Sequence, residues 1–374
     1  MATEVIRVDR DGDFTAAVRR AAAALADGGL VAFPTETVYG VAACVDLAEA
    51  VSRLRRVKER PQEMAFTVHI GSSADANQFV PELGGLASRF IRKAWPGPLT
   101  LILPVEVPAA APIMGRLNGT AAEAMYYNNA IGLRYPDDSI AESILRTVTS
   151  PVVAASANLA GRPPAQTAED VLRDLGGRID LVVDGGRTRY ARPSTIVRVS
   201  GGAYEIVREG VYDRRTLERL STLRILFVCT GNTCRSPMAA GLAAAALAER
   251  LGCAVADLPA RGVEVSSAGT SGGAAGGATT HAVEAMSRRG IDISQHRSTA
   301  LTADMIRQAD HTFVMTEAHR EAALNLVPSA SDRVALLLDG QDVRDPVGES
   351  EDEYEACARG IENGVIARLQ EVIL

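Results

Sequence analysis

Leu223–Arg250 reads LRILFVCTGNTCRSPMAAGLAAAALAER, which predicts a strand, a tight loop and a helix in direct succession. The run that ends at Cys229 is rich in large and β-branched apolar residues, which is typical of a buried strand. The run from Met238 is rich in alanine and leucine, which favour a helix. The loop is therefore expected at the amino end of a helix, where backbone N–H groups and the helix dipole attract an oxyanion.

Similar strand signals alternate with helical patterns along the whole chain. They read LVAFPT, AFTVHI, TLILPV, IGLRY, VVAAS, LVVDGG and TIVRV in the first part, then LRILFVC, VEVSSAG, HTFVMT and RVALLL. This alternation predicts α/β architecture in both parts. At roughly 150 residues per domain, 374 residues correspond to two domains or to three small ones. We expect domains at 1–212 and 224–374, joined by a charged linker at 213–223.

The composition excludes several classes of protein. Hydrophobic residues make up 47% and charged residues 23% of the chain, which is typical of a globular protein and not of a disordered or fibrous one. No apolar run approaches the ~20 residues of a membrane span, and the first residues lack the apolar segment of a signal peptide. We therefore expect a cytoplasmic protein with no direct membrane contact.

Charge and metal-ligating residue types narrow the set of partners. The net charge is −7, and residues 1–212 hold 23 basic and 24 acidic residues, so the first half lacks the excess of cations that binds a nucleic-acid backbone. Five histidines without ligand spacing predict no protein-held metal, and five cysteines without a repeating pattern predict reduced thiols. A different class of function, an RNA-binding module, is the alternative for the first half.

The loop Cys229–Ser236 carries residue types that suit phosphoryl transfer. The helix terminus favours the thiolate of Cys229, which is the reactive form of cysteine. Arg235 offers a planar clamp for two phosphoryl oxygens, and Ser236 can donate a hydrogen bond to the thiolate. The loop residues between them are Thr230, Gly231, Asn232, Thr233 and Cys234. A lone cysteine here would more simply end a buried strand, but the combination favours a phosphate-binding loop.

These residues resemble the low-molecular-weight protein-tyrosine-phosphatase family, whose signature is a cysteine, five residues and Arg-Ser. The resemblance continues through SSAGT at 266–270, HAVEAM at 281–286, GIDISQHRS at 290–298, QADHTFVMT at 308–316 and Asp345-Pro346, followed by Tyr354. It implies a doubly wound, mainly parallel sheet with helices on both faces. It also implies that Cys229 is the nucleophile, Arg235 the transition-state clamp and Asp345 the general acid, with a phosphorylated protein as substrate and no cofactor.

Two features bear on that substrate. RDPVGES at 344–350 lacks the aromatic side chains that usually hold the ring of phosphotyrosine in this family. Thr233 before Cys234 is similar to the protein-arginine-phosphatase branch, so the resemblance favours phosphoarginine, with phosphotyrosine as the alternative. Two further interpretations are a phospho-residue reader without turnover and an arsenate reductase, which needs additional cysteines that are lacking between Cys253 and Cys357.

The first half combines a strand that runs into a polar turn with a basic helix end. LVAFPTETVYGVA occupies 30–42, and RLRRVKERP occupies 53–61. Lys58 is one of two lysines among 39 basic residues, and its compact ammonium suits contact with a phosphate oxygen. A solvated helix face is the simpler interpretation of this segment alone.

The wider set of motifs resembles the threonylcarbamoyl-AMP synthase family over most of residues 5–212. In chain order they are AFTVHIG at 65–71, AWPGPLTLIL at 94–103, GLRYP at 132–136, ASAN at 155–158, DGG at 184–186 and PSTIVRV at 193–199. The resemblance implies a twisted mixed α/β sheet and a reaction of L-threonine, bicarbonate and ATP that forms threonylcarbamoyl-AMP and pyrophosphate. That product serves the threonylcarbamoyladenosine modification of transfer RNA, so later proteins of this modification are expected partners and direct transfer-RNA binding is not expected.

The resemblance assigns binding residues one by one. ATP contacts fall on Lys58, Arg60, Ser156, Asn158 and Arg208, and threonine contacts fall on Thr35, His69, Arg134 and Ser194. The residue types fit, because a triphosphate needs several cations and the carboxylate of an amino acid needs one. Mg²⁺ is implied by ATP and not by a ligand cluster. At 62–66 the chain reads QEMAF where the family commonly has Lys-Pro-Leu, so one basic contact is missing.

Overall fold

The computed structural model describes residues 2–61, 64–117, 119–273 and 276–372. The chain divides into two units, Met1–Leu220 and Ser221–Leu374. Gln62 and Glu63, where the basic contact is expected to be missing, lie outside the described residues.

The first unit contains a large sheet and helices that pack on it. Its strands are β1 (Glu4–Arg7), β2 (Val31–Phe33), β3 (Gly40–Cys44), β4 (Thr67–His69), β5 (Leu99–Pro104), β6 (Tyr126–Tyr127), β7 (Ala130–Arg134), β8 (Val152–Ser156), β9 (Leu181–Asp184), β10 (Thr195–Ser200) and β11 (Ala203–Arg208). Its helices are α1 (Thr15–Ala26), α2 (Ala48–Lys58), α3 (Ala76–Phe79), α4 (Gly85–Ala94), α5 (Gly119–Met125), α6 (Ser139–Thr147) and α7 (Ala168–Leu175).

The strands of this sheet lie in the order β1-β9-β2-β3-β8-β4-β7-β5-β10-β11, and β6 pairs with β7. The pairs β1–β9, β2–β9, β4–β7 and β5–β10 are parallel. The pairs β2–β3, β3–β8, β4–β8, β5–β7 and β10–β11 are antiparallel. The mixed α/β sheet expected for the first half is confirmed.

The two faces of the sheet carry different residues. On one face, strand residues such as Val68, Leu133 and Leu101 pack in a core with α2, α4 and α7. On the other face, α1 and α6 pack against β9, β2, β3 and β8. Cross-strand partners point to the same side of a sheet, and His69 pairs with Val152 from the core beneath α1 and α6. The strands β4, β7, β5 and β10 therefore extend this second face beyond those two helices.

The segment 213–223, expected as a linker, contains helix α8 (Arg214–Ser221). Leu217 of this helix is buried in the core of the first unit, and Leu220 packs against that core. The charged residues that suggested a linker occupy the remaining positions of an amphipathic helix. Most of this segment is therefore part of the first unit.

The second unit is a parallel sheet with helices on both faces. Its strands are β12 (Leu223–Cys229), β13 (Val263–Gly269), β14 (His311–Val314) and β15 (Val334–Leu336), in the order β13-β12-β14-β15. Its helices are α9 (Arg235–Leu251), α10 (Thr280–Ser287), α11 (Ala303–Gln308), α12 (Glu317–Leu326) and α13 (Glu351–Glu371). Phe227 packs with α9, α10 and α13, whereas Leu226 and Val228 pack with α11 and α12. The doubly wound sheet expected for the second half is confirmed.

Short 3₁₀ helices complete the two units, at Ser73–Asp75, Pro108–Ala110, Pro112–Arg116, Val255–Asp257, Pro259–Arg261 and Pro328–Ala330. Within the described ranges, no helix combines the length and the apolar composition that crossing a lipid bilayer requires.

Candidate active sites

A cavity of about 300 Å³, the first cavity, lies on the second face of the large sheet. Four neighbouring strands present one row of side chains to it, because Arg134 pairs with both His69 and Thr100, and Thr100 pairs with Ile196. Residues predicted to bind ATP or threonine line it: Thr35, Lys58, Arg60, His69, Arg134, Ser156, Ser194 and Arg208. The fold thus brings together side chains that are far apart in the sequence.

The turn after β2 holds Arg134. Its Nη2 donates to Thr37 Oγ1 at 2.6 Å, to Glu36 Oε1 at 3.0 Å and to Thr35 Oγ1 at 3.3 Å. Glu36 also accepts a hydrogen bond from the backbone N–H of Asp137. Both members of the ion pair are buried, so the Glu36 carboxylate offsets the cost of burying a guanidinium. Arg134 Nε is buried without a hydrogen-bond partner among the described residues, which leaves a donor for a ligand.

The His69 imidazole is neutral. Burial and the charge of Arg134 lower the pKa of His69 to about 3. Its Nδ1 lies 3.3 Å from the carbonyl oxygen of Thr67, which can only accept, so Nδ1 carries the proton. His69 Nε2 is therefore an acceptor, and His69 is one of the residues that line the first cavity.

Two cations come from the end of α2. Lys58 Nζ donates to the backbone oxygen of Ser156 at 2.6 Å and to that of Asn158. Burial and the charge of Arg60 lower the pKa of Lys58 to about 8. The Arg60 guanidinium lies 4.8 Å from the ring centroid of Phe66, and burial lowers its pKa as well. Both side chains remain mostly protonated at pH 7, so this end of the cavity is cationic.

Arg208, Ser194 and Thr100 form a second polar network at the cavity. Arg208 Nη2 donates to Ser194 O at 2.8 Å and to Ser194 Oγ at 3.2 Å. Thr100 Oγ1 lies 2.9 Å from Ser194 Oγ. Burial and the charge of Arg134 lower the pKa of Arg208, which nevertheless stays a cation. The network fixes a hydroxyl and a guanidinium on the lining.

Asn158 is not on the lining of the first cavity. Its Nδ2 donates to the backbone oxygens of Leu159 at 2.8 Å and Arg162 at 2.9 Å. Its own backbone oxygen accepts from Lys58. The structure therefore places Asn158 in the loop after β8, where it positions Lys58.

A second cavity of about 320 Å³ adjoins the first along the sheet. The next row of paired strand residues forms its floor: Thr67, Gly132, Ile102 and Arg198. Its apolar walls include Phe66, Tyr127 and Val207. The two cavities share lining residues Arg60, Thr67, Thr100 and Ile196. A planar group attached to a phosphate in the first cavity can therefore lie in the second cavity.

In the second unit, the predicted phosphate loop connects β12 to α9. Cys229 Sγ accepts a hydrogen bond from the backbone N–H of Asn232 at 3.2 Å and lies 3.0 Å from Ser236 Oγ. The sulfur is thus held by the loop backbone and by the first turn of α9. The loop packs against Gly269 of β13, where an added Cβ would lie 2.5 Å from Thr230 O. Glycine is therefore required for this close approach.

Asn232 holds the loop in its curved form. Its backbone is left-handed, with φ of 55°. Its Nδ2 donates to Ser236 Oγ at 2.9 Å and to Ser267 Oγ at 2.8 Å, and its Oδ1 accepts from the backbone N–H of Thr299 at 2.8 Å. Three segments of the second unit are thus tied to one side chain.

Arg235 and Asp345 meet at the mouth of the loop. Arg235 Nη1 donates to Val343 O at 3.1 Å, and its Nη2 contacts Thr230 Oγ1 at 3.4 Å and the Asp345 carboxylate. The side chain of Arg235 is 5% exposed and that of Asp345 is 45% exposed. Arg235, the predicted clamp, is therefore buried and fixed, whereas Asp345, the predicted general acid, faces solvent.

Cys234 and Tyr354 are neighbours inside the unit. Cys234 Sγ lies 3.3 Å from Tyr354 OH and 3.4 Å from Thr279 Oγ1. Burial and the hydrogen bond with Cys234 raise the pKa of Tyr354 to about 12. Because Tyr354 is buried, its ring forms no exposed wall for a substrate.

The two units match two families. The Sua5/YciO/YrdC family model, described as telomere recombination, matches residues 23–210, half of the chain. The chain belongs to the Sua5/YciO/YrdC family. Residues 224–373 match the model of low molecular weight phosphotyrosine protein phosphatases, so the second unit carries a domain of that family. Both resemblances stated from the sequence are confirmed.

Curated relatives of the Sua5/YciO/YrdC unit are threonylcarbamoyl-AMP synthases. That of Pyrococcus abyssi (strain GE5 / Orsay) is 32% identical over 203 residues, 54% of this chain and 56% of the relative. That of Bacillus subtilis (strain 168) is 34% identical over 201 residues, 54% of this chain and 55% of the relative. The chain thus spans little more than half the length of these relatives. The crystal structure of P. abyssi Sua5 complexed with L-threonine aligns with 96% of this chain and 98% of its own, with a TM-score of 0.51 at 21% identity, which shows the fold.

In the Sua5/YciO/YrdC unit, several residues that hold the predicted binding side chains were not predicted from the sequence. Glu36 and Thr37 belong to the Pro-Thr-Glu-Thr turn, whose position directly after a buried strand is the available signal. Thr100 has no local signal, because its place beside Arg134 and Ser194 follows from strand pairing. In the phosphatase domain, Ser267 supports the loop from a segment that the sequence marked only as a matched motif, and Thr299, directly after the motif at 290–298, supports it through its backbone N–H.

The contacts of Asn232 predict a large loss of stability in Asn232→Ala. Removing the side chain leaves buried partners unsatisfied and places alanine in a left-handed backbone, so we expect a cost of about 2–4 kcal/mol. The melting temperature of the second unit, measured by calorimetry on the full chain, should fall by about 10 °C. Asn232→Gly is the control, because glycine tolerates the left-handed backbone and should lose less. Equal melting temperatures for wild type and Asn232→Ala would contradict the role of this side chain.

Proposed function

We propose that the first unit forms L-threonylcarbamoyladenylate from L-threonine, bicarbonate and ATP, with release of pyrophosphate. The lining of the first cavity is the observation that carries this proposal, because cations from three segments, the end of α2, β7 and β11, surround one space, and the buried arginine of β7 has a free N–H. The phosphates of ATP take Lys58, Arg60 and Arg208. The nucleoside takes the second cavity, where Phe66 forms part of the wall and Arg198 part of the floor.

Threonine takes the other end of the first cavity. Its carboxylate accepts from Arg134 Nε, and its amine and hydroxyl contact the hydroxyls of Thr35 and Ser194. His69 Nε2 accepts a hydrogen bond from the amine. Because His69 is neutral, it adds no positive charge that would oppose binding of an ammonium group.

The reaction then has two steps. The ammonium group of threonine loses two protons, of which one converts bicarbonate to carbon dioxide and water and the other goes to solvent, and the nitrogen forms a bond to the carbon of carbon dioxide to give a carbamate. A carbamate oxygen forms a bond to the α-phosphorus of ATP as the bond to the bridging oxygen breaks and pyrophosphate leaves. Lys58, Arg60 and Arg208 neutralise the charge that develops on the phosphate oxygens, and the cavity supplies positioning.

Mg²⁺ enters with ATP as part of the substrate. The described residues that line the first cavity include no Asp or Glu, so they do not fit a metal held by protein carboxylates. The ligands of the ion are then the phosphate oxygens, and the protein contributes side-chain cations.

Pyrophosphate release by the full chain tests this function. We expect release only when threonine, bicarbonate and ATP are all present, because the carbamate is the nucleophile. Omission of any one substrate is the control. Pyrophosphate release from ATP alone would contradict the proposal.

For the second unit, we propose hydrolysis of phosphorylated protein residues through a phosphocysteine. Cys229 Sγ attacks phosphorus while Arg235 and loop N–H groups hold the phosphoryl oxygens, and Asp345 protonates the leaving group. Water then attacks the phosphocysteine and gives a proton to Asp345, and Ser236 stabilises the departing thiolate. The 3.0 Å contact of Cys229 with Ser236 supports this role.

Phosphoarginine is the substrate that we propose for this site. Val347, two residues after Asp345, is 62% exposed and offers no ring to stack on a phenyl group. Thr233 adds a hydroxyl to the loop, which suits the polar N–H groups of a guanidinium. A site built on polar pairing discriminates strongly, because an analogue without the polar group leaves buried atoms unpaired. Burial raises the pKa of Cys357 to about 12, which makes it a poor member of the thiol relay of an arsenate reductase.

Competing peptide substrates test this preference. We expect kcat/KM for a phosphoarginine peptide to exceed that for a phosphotyrosine peptide by about tenfold or more. Thr233→Val keeps the shape of the side chain and should lower only the phosphoarginine value. A tenfold preference for phosphotyrosine would overturn phosphoarginine as the proposed substrate. The proposal that the second unit is a phosphatase would still stand.

We further propose that both reactions take place in the cytoplasm. ATP is available there, and the acyl phosphate product is labile in water. Proteins that act later in transfer-RNA modification are therefore the partners that consume it.

A further inference from the structure

His319 is a buried histidine beside the phosphate loop that no sequence motif singled out. It lies in the first turn of α12 and is 5% exposed. Its Nε2 is 2.9 Å from Thr230 Oγ1, and its Nδ1 is 2.8 Å from Thr316 Oγ1. Thr316 caps α12 by accepting from the backbone N–H of His319. The ring thus connects a helix terminus to the residue that follows Cys229.

The partners of Thr230 determine the direction of these hydrogen bonds. Arg235 Nη2 donates to Thr230 Oγ1 at 3.4 Å, and arginine has no acceptor. The hydroxyl hydrogen of Thr230 is then free to point at His319 Nε2. In this arrangement Nδ1 carries the ring proton and donates to Thr316 Oγ1. The pattern needs a neutral imidazole with an unprotonated Nε2.

The surroundings of His319 favour that neutral form. Burial is the main cause that lowers its pKa, and the charge of Arg235 from α9 acts in the same direction. Asp345 and Asp342, from the segment after β15, act in the opposite direction and do not outweigh them. The imidazole is therefore neutral at pH 7.

We propose that His319 is a positioning residue for the phosphatase reaction: its neutral Nε2 fixes the hydroxyl of Thr230, which in turn holds the Arg235 guanidinium against the phosphoryl group. This inference rests on the proposed phosphatase function. Protonated His319 must donate from Nε2, so Thr230 Oγ1 would receive hydrogen bonds from two cations and its own hydrogen would turn away. The clamp would then lose its fixed orientation while the loop backbone stayed in place.

Two substitutions of His319, to side chains of different length, distinguish a positioning role from a general contribution to stability. Glutamine at 319 can place Oε1 where Nε2 now accepts from Thr230, whereas asparagine reaches only the Thr316 side. We expect His319→Asn and His319→Ala to lower kcat for an aryl phosphate by about 10–100-fold with little change in KM, because a misplaced clamp loses transition-state contacts. His319→Gln should restore kcat to within about threefold of wild type.

The pH profile gives a second readout of the same role. In the full-length wild type, kcat should fall as the pH drops through the lowered pKa of His319, because the imidazole gains its second proton. His319→Gln lacks this titration and should keep its kcat at those pH values. Equal profiles for wild type and His319→Gln, or equal kcat for the asparagine and glutamine variants, would overturn the inference.

Nitrogen NMR of the imidazole in the full chain makes the test independent of turnover. We expect the proton of His319 on Nδ1 and a hydrogen-bonded, unprotonated Nε2. A proton on Nε2 at neutral pH would overturn the inference even if the enzyme is active. A wild type with the expected tautomer but no turnover would instead count against the phosphatase function.

Discussion

Cys229→Ser lowers phosphatase turnover by roughly 10⁴–10⁶-fold, the loss typical of removing the nucleophile from an enzyme that forms a covalent intermediate. Serine keeps the size of the side chain and the contact with Ser236, but its hydroxyl is not ionised at neutral pH. Hydrolysis of a generic aryl phosphate by the full chain measures the effect. The melting temperature of the second unit should change little, because the substitution removes no buried partner.

Two controls accompany this variant. Cys253→Ser changes another cysteine of the same unit, one that packs after α9 and away from the loop, and should keep full turnover. Pyrophosphate release by Cys229→Ser should equal that of wild type, because the two sites lie in different units. Residual turnover above about one per cent of wild type would show that Cys229 is not the nucleophile.

Lys58→Met lowers threonine-dependent pyrophosphate release by about 10²–10³-fold, because a fixed charge that contacts the reacting phosphate is removed. Methionine fills similar space, so the two backbone oxygens that Lys58 bonds become the main structural loss. Lys93→Met is the matched control, since Lys93 is the other lysine of the chain and is not among the described residues that line either cavity. If Lys58→Met released pyrophosphate at the wild-type rate, Lys58 would not be an ATP-binding residue.

The lowered pKa of Lys58 adds a pH dependence to this prediction. In the unliganded protein, the ammonium charge is present below the pKa of about 8 and is lost as the pH rises through that value. KM for ATP should therefore rise above this pH, whereas Lys58→Arg stays protonated and should show a flat profile. Measurement of KM on both sides of the pKa decides the matter. A parallel rise in both proteins would assign the titration to another group.

Most of the fold could be predicted from the sequence because the strands are apolar runs bounded by turn residues. Each quoted run contains a strand of the structure. β3 (Gly40–Cys44) was missed because GVAAC has low strand propensity, and it forms a strand because it pairs with β2 and β8. β11 was missed although Gly201-Gly202, which separates it from β10, is a recognisable hairpin turn.

The candidate sites could be predicted where one segment carries several functional side chains. The phosphate loop is such a segment, and a strand, loop and helix determine its geometry. Thr100 and His319 could not be predicted, because each acts through a partner that only the tertiary fold brings close. Asn158 is the opposite case. Its motif was recognised in the sequence, but its side chain donates to a backbone oxygen and does not line the first cavity.

The row of residues on the floor of the first cavity links catalysis to the interior of the sheet. Each member has an apolar neighbour in sequence that points to the opposite face: Val68, Leu133, Leu101 and Val197. A slip of one strand by a single residue would exchange a ligand-binding side chain for a core side chain. Substrate affinity therefore depends closely on strand alignment. Substitutions of buried residues on the opposite face of the sheet should alter threonine binding, although these residues do not contact threonine.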